Sequence, residues 1–216
     1  MTKIELTIYV LALVGVGACG ISGAAAAIRK KLDLFGVMFV AAVTGLGGGI
    51  IRDILLSNLP PSMFQDPAFI IVSALSSLVI FLIAHFFQHF FQQKHRHWDF
   101  ILNFIDAVGL GAFTVLGINT ALSKGFQDNA FFLVFIGMTT GIGGGILRDI
   151  LLDEIPSIFT KHVYAIATIA GAVLYVTLYL YARVEEFWCV LLTVVTVTVL
   201  RVLAAIFHWN FPKAYK

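Results

Sequence analysis

Charge is what this chain has least of. Asp, Glu, Lys and Arg make up 12% of its 216 residues, against 60% hydrophobic residues and a mean hydropathy of +0.96. A soluble domain carries about a quarter charged residues. A water-soluble fold is therefore excluded, and the apolar segments are long enough to cross a bilayer. Cysteine is almost missing too. Cys19 and Cys189 both fall inside apolar spans, which leaves no disulfide framework or cysteine metal site and makes them reduced packing residues. Proline stays out of span interiors: Pro60, Pro61, Pro67 and Pro156 stand at or beyond helix ends, where a missing N–H is harmless. The chain contains no P-loop, no G-x-S-x-G elbow, no H-E-x-x-H and no K⁺-filter sequence. ATP-driven pumping and intramembrane hydrolysis lose their support, and nothing calls for a cofactor, a metal or a nucleic-acid partner.

What is present is a series of apolar runs. Hydropathy predicts an all-α polytopic membrane protein with seven spans, at roughly 5–28, 34–57, 68–91, 99–122, 130–152, 162–182 and 186–208. The first span has no small-residue cleavage site and is followed by Arg29, Lys30 and Lys31, so it reads as an uncleaved helix rather than a signal peptide. Lys3, Lys124 and Arg183 fall on one side of the membrane. Arg29, Lys30, Lys31, Lys94, Arg96, Lys161, Lys213 and Lys216 fall on the other. The richer side is cytoplasmic by the positive-inside rule, which puts the N-terminus outside and the C-terminus inside. The Arg29–Lys31 patch also touches anionic lipid there.

One stretch occurs twice. Thr44–Pro60 reads TGLGGGIIRDILLSNLP and Thr140–Pro156 reads TGIGGGILRDILLDEIP, identical at 12 of 17 positions. Weaker similarity extends upstream: Val14–Ala18 (VGVGA) matches Val108–Ala112 (VGLGA), and Gly23 matches Gly117. The unit is three spans used twice, with a seventh span added. An odd-span unit in tandem must be inverted, an architecture that puts sites near the midplane between halves. The expected divisions are 1–97, 98–183 and 184–216.

Each copy places a glycine triplet, Gly47–Gly49 or Gly143–Gly145, mid-span, and an Arg-Asp pair, Arg52-Asp53 or Arg148-Asp149, just after it. Glycine triplets weaken a helix and intramembrane charge is costly. Their coincidence predicts a bend or break lining a pathway, with close helix packing as the alternative. Neighbouring helical residues point about 100° apart, so each Arg is not expected simply to pair with its own Asp; a crossed arrangement, with the Asp of the other repeat or with Asp106, is equally economical, and the charges either line the pathway or form a structural ion-pair network. Asp106 has no acidic counterpart, because Ala12 stands at the equivalent position. It is either an Arg partner or a proton- or cation-sensing group. Arg52, Arg148 and Arg201 balance Asp53, Asp106 and Asp149, which implies that most are paired; Arg201 is near enough to a membrane face to snorkel. Gly15, Cys19, Gly23 and Ala27 form a small-residue packing seam on the first span, and Ser73 and Ser77 a shorter one on the third. His85, His89, His95 and His97 read as an interfacial cluster rather than a metal site.

The doubled GGG-x-x-RD motif, the seven spans, DAVGLGAF (Asp106–Phe113) and LRVLAAIFHWNFP (Leu200–Pro212) resemble a bacterial family of small membrane proteins. That family is related to the trimeric intracellular cation (TRIC) channels, and the likeness covers nearly the whole chain. It implies homotrimers with one pore per subunit in the inner membrane, glycine motifs that bend spans two and five around the pore, and K⁺ above all as permeant ion. Relatives with this motif pair are also assigned as glycine transporters. Carried over by motif, the pathway residues are Gly47, Gly48, Gly49, Arg52, Asp53, Gly143, Gly144, Gly145, Arg148 and Asp149, with Asp106 added from its own placement. A passive cation channel is the first expectation and a carrier of a small zwitterion such as glycine the second. A purely structural or enzymatic protein is the third.

Overall fold

The structure is a computed structural model and describes residues 3–86, 96–160, 163–207 and 209; the side chains of residues 96, 97, 160 and 163 are left aside. Seven helices among the described residues are long and apolar enough to cross a membrane. They are α1 (Lys3–Arg29), α2 (Leu34–Leu55), α4 (Pro67–Phe86), α5 (Arg96–Ser123), α6 (Ala130–Leu151), α8 (Val163–Val176, continued by a π-helical turn over Thr177–Tyr181) and α9 (Glu186–Ile206). Two single-turn helices, α3 (Ser62–Gln65) and α7 (Ser157–Thr160), follow α2 and α6. The helices fall where hydropathy put them. Phe35, Phe86 and Phe131 are among the large apolar side chains left on the outer surface, as a lipid-facing surface requires. His89, His95 and the His97 side chain lie outside the described residues.

The repeat is visible in the chain's turns as well as its letters. The first helix of each unit ends in a left-handed residue, Lys31 (φ 59°) or Gly125 (φ 88°), with Leu32 N–H donating to Ala27 O and Phe126 N–H to Ala121 O, both at 3.2 Å. Asp33 then caps α2 through Gly36 N–H at 2.8 Å, and Asn129 caps α6 through Phe132 N–H at 2.9 Å. Both motif helices end alike: Ser57 (φ 52°) and Asp153 (φ 53°) are left-handed, and Asn58 N–H→Asp53 O (2.7 Å) and Glu154 N–H→Asp149 O (2.8 Å) close the last turn. These paired bonds satisfy carbonyls that a helix end would leave bare. The architecture is two inverted three-helix repeats plus a seventh helix.

The core of the bundle is α1, α2, α5 and α6, with α2 against α6, α1 against α5, and each first helix on its own second helix. The seam predicted on α1 is used: a Cβ on Gly15 would meet Ala112, and one on Gly109 would meet Cys19. In the outer layer α4 packs on α1 and α2, whereas α9 lies on both α5 and α8. The added helix thus breaks the symmetry on one side.

Candidate functional site

Neither motif helix is interrupted at its triplet. Gly47–Gly49 and Gly143–Gly145 lie within continuous α-helix, and the predicted break is corrected. The triplets instead bring two backbones together where α2 crosses α6. A Cβ on Gly48 would run into the Thr140 carbonyl oxygen, and one on Gly144 into that of Thr44. Gly47 faces Leu147, and Gly143 faces Ile51. Such close approach is what small residues allow between helices in lipid, where intact backbone hydrogen bonds are also most needed. The flanking glycines differ: a Cβ on Gly49 would sit 2.6 Å from Met63 Cε, and one on Gly145 3.0 Å from Tyr164 Oη.

Each Arg does bind its own Asp, contrary to expectation. Arg52 Nε donates to Asp53 Oδ1 and Arg148 Nε to Asp149 Oδ1, both at 2.8 Å. The separation of neighbours around the helix is overcome at its last turn. There the Asp reaches forward to the next short helix, accepting from Ser62 N–H at 2.7 Å or Ser157 N–H at 2.6 Å. The long Arg side chain then reaches round to the same carboxylate. Ser62 Oγ adds 2.6 Å to Asp53 and receives Arg52 Nη2 at 2.8 Å. The pair therefore serves first as a clasp that folds the segment after the motif helix. Ser62 and Ser157 were missed in the sequence, although Ser62-Met63-Phe64 and Ser157-Ile158-Phe159 continue the repeat beyond its prolines.

The two clasps have different surroundings. Arg52 and Asp53 are 4% and 0% exposed, closed in at the end of the bundle that also holds Asp66. Asp66 accepts from Ala68 N–H and from Tyr9 Oη, each at 2.8 Å, and these bonds, the amide first, hold its carboxyl below the usual carboxylate range. Arg148 and Asp149 instead stand at a cavity of about 360 Å³. At its mouth are Arg29, Asp99 and Glu154, half-exposed, where Arg29 pairs with Asp99 and Lys30 with Glu154 at 2.9 Å. Deeper in, Arg148 Nη1 lies 3.5 Å from Asp106 Oδ1 and donates to Ser22 Oγ at 2.9 Å, which in turn donates to Asp106 at 2.9 Å. The predicted Arg–Asp106 approach is thus present on the Arg148 side. Arg201 does not snorkel. Packing of α9 on α5 holds it 7% exposed, with Nη2 3.5 Å from Asp106 Oδ2 and the guanidinium 4.3 Å over the Tyr164 ring. All six intramembrane charges are in ion pairs. Gly47, Gly48, Gly143 and Gly144 lie in the α2–α6 contact, and Gly145 faces Tyr164, which lines the cavity. Among the described residues no three His, Cys, Asp or Glu side chains gather as metal ligands do.

The model of a family described as "Glycine transporter" matches residues 9–85 and again 103–180, once for each three-helix unit. The chain is 32% identical over 207 residues, 96% of either chain, to the UPF0126 inner membrane protein YadS of Escherichia coli (strain K12). It is 36% identical over 181 residues, 80% of either chain, to a UPF0126 membrane protein of Deinococcus radiodurans. Among solved structures it superposes on a prokaryotic TRIC channel in 0.5 M KCl with TM-score 0.84 at 29% identity, covering 96% of this chain and 100% of that one. The TRIC trimeric intracellular cation channel orthologue from Rhodobacter sphaeroides gives TM-score 0.83 at 28% identity, covering 94% and 99%. With family matches in both units and relatives along nearly its whole length, the chain is a homologue of the prokaryotic TRIC channels and belongs to the family described as glycine transporters.

Proposed function

We propose that the protein is a passive channel for monovalent cations, K⁺ foremost. In this reading it is a homotrimer in a bacterial inner membrane, with its N-terminus outside, its C-terminus cytoplasmic and one pathway in each subunit. Residues 1–97 and 98–183 form the two halves of that pathway, and 184–216 complete it. The observation that carries this reading is the charged cavity running from the half-exposed Arg29 end to Arg148 and Asp149, next to the glycine crossing of α2 and α6. A partly hydrated cation enters past Asp99 and Glu154. Asn103, Asp106 and Asp149 line its path deeper in and offset lost hydration with fixed oxygens. Arg148 and Arg201 would repel it, but each is held against a carboxylate, so the deep end carries no net charge. The crossing at Gly47, Gly48, Gly143 and Gly144 is the constriction. Parting α2 from α6 there opens the path and frees space beside the Thr44 and Thr140 carbonyls. Bilayer recording from purified trimers tests this: K⁺-selective unitary currents are expected, and their absence removes the proposal.

A second reading, a facilitator of a small zwitterion such as glycine, is favoured by the family description and by guanidinium and carboxylate groups sharing one cavity. Saturable uptake of labelled glycine into proteoliposomes, lost on Arg148→Gln, would favour it. Non-saturating cation flux favours the channel.

A further inference from the structure

We infer that the groove between the N-terminal turns of α1 and α9 is a headgroup site for a phospholipid with a primary ammonium, a phosphatidylethanolamine. Both helices pack on α5 but scarcely touch each other, and they leave a cavity of about 630 Å³ between their starts. Lys3, Ile4 and Thr7 line it from α1, and Glu185, Glu186 and Phe187 from the start of α9. Two membrane-spanning helices begin here, which sets the groove at the boundary between water and lipid. Half-exposed Trp188 stands beside it, and the indole ring favours that depth. Further along, the exposed residues of both helices are apolar, among them Leu6 and Val10 on α1 and Leu191 and Val195 on α9. That is a surface for acyl chains below a polar seat.

The charges of both signs in this groove are unmet. Among the described residues neither Lys3 nor Glu185 is in an ion pair, and Glu185, at the N-cap of α9, makes no side-chain cap hydrogen bond. Glu186 accepts from Asn119 on Oε1 and keeps Oε2. Thr7 Oγ1 donates to Lys3 O at 3.0 Å, so its oxygen remains an acceptor. The groove thus offers three acceptors and one cationic donor. A primary ammonium brings three N–H donors to those acceptors, while Lys3 meets the phosphate, as a basic residue at a lipid surface does. Two carboxylates against one ammonium leave the groove net negative, which disfavours a lipid whose headgroup carries only a negative charge. A quaternary ammonium has the positive charge but no N–H to donate. The site does not rest on the channel reading: α1 holds it a full helix length from Arg29 and the cavity that Arg29 lines.

Native mass spectrometry of the full-length protein in detergent tests this, with dioleoyl phosphatidylethanolamine, phosphatidylcholine and phosphatidylglycerol as probes. A saturable site on each subunit is expected, filled about fivefold more tightly by the ethanolamine lipid than by either of the others. Glu185→Gln should erase that preference, and Glu185→Asp should keep most of it. Lys3→Gln should weaken all three lipids about fivefold, the effect of one basic residue near a lipid surface. Thermal unfolding of the same variants checks that each is folded. Equal retention of the three lipids, the mark of a non-specific annulus, overturns the inference, as does an unchanged preference in a folded Glu185→Gln protein. Loss of the oligomer in that variant, with no lipid preference in the parent protein, gives the groove to a neighbouring copy of the chain and overturns it as well. Absent K⁺ currents beside an intact ethanolamine preference would remove the channel reading and leave the site standing.

Discussion

Arg52-Asp53 and Arg148-Asp149 occupy the same place in two copies of one motif and make the same clasp to the next short helix. Among the described residues the second lines a cavity of about 360 Å³, and the first is buried at 4% and 0% exposure. The difference comes from three positions that the duplication does not share. Met63 fills the space against Gly49, where Tyr164 stands against Gly145. Asp106 has Ala12 as its counterpart, and Arg201 comes from the helix that has none. The two charges that have no counterpart in the other unit meet each other, and α9 carries one of them in between α5 and α8. The repeat builds a symmetric frame, and the departures from it make one end polar and open.

The sharpest way to break this comparison is to neutralise the two acids in turn. Asp53→Asn leaves Arg52 buried without its carboxylate and should cost about 3–5 kcal/mol of stability. Asp149→Asn should cost clearly less, because Arg148 keeps Asp106 and Ser22 and has the cavity beside it. Equal losses in unfolding of the purified variants would mean that the two environments are alike. Next come the positions that should behave identically. Gly48→Ala and Gly144→Ala each push a methyl into a backbone carbonyl and should each cost about 1–3 kcal/mol. Gly47→Ala meets first the end of Leu147, and Gly143→Ala the end of Ile51 with Gly48 Cα at 3.3 Å; both should cost less. A marked difference between Gly48 and Gly144 would show that the crossing is not symmetric.

Charge in the open end should affect transport as well as stability. Asp106→Asn removes the carboxylate shared by Arg148 and Arg201. It should lower K⁺ flux about tenfold, the effect of one lost attractive charge at a few ångströms in a partly wet site. Unchanged flux would place the pathway elsewhere. The smallest effect belongs to Asp66 at the closed end. Its depressed carboxyl pKa adds stability above the ordinary carboxylate pKa, and that contribution fades as pH falls through the lower folded value. Asp66→Asn should flatten that acid limb slightly and leave flux unchanged; a steeper limb would contradict the assignment.

Much of this was legible in the sequence because a bilayer imposes length and the duplication repeats in plain letters. The seven helices, their inversion and the balance of three acids against three arginines follow from those two constraints. The glycine triplets were harder. Their low helix propensity is a property measured in water, whereas inside lipid the backbone keeps its bonds and glycine's small size serves the crossing instead. The adjacency of Arg and Asp misled for a related reason: helical angles hold mid-helix, and this pair acts where the helix ends. Ser62 and Ser157 were within reach, since the Ser-x-Phe echo follows each proline. Nothing in an apolar run marks Tyr164 as the ring beneath Arg201, and the π-helical turn at Thr177–Tyr181 has no sequence signal that we can name.

The most direct test compares access to the two ends during conduction. Ala26→Cys lines the cavity and Met63→Cys lies at the closed end, while the native Cys19 and Cys189 are buried. A cationic, membrane-impermeant thiol reagent should cut K⁺ current through the Ala26→Cys protein from one side only. Under the proposed orientation that side is the cytoplasmic one, and the Met63→Cys protein should be unaffected. Block at Met63→Cys with none at Ala26→Cys, or no K⁺ current from either protein, would contradict the account.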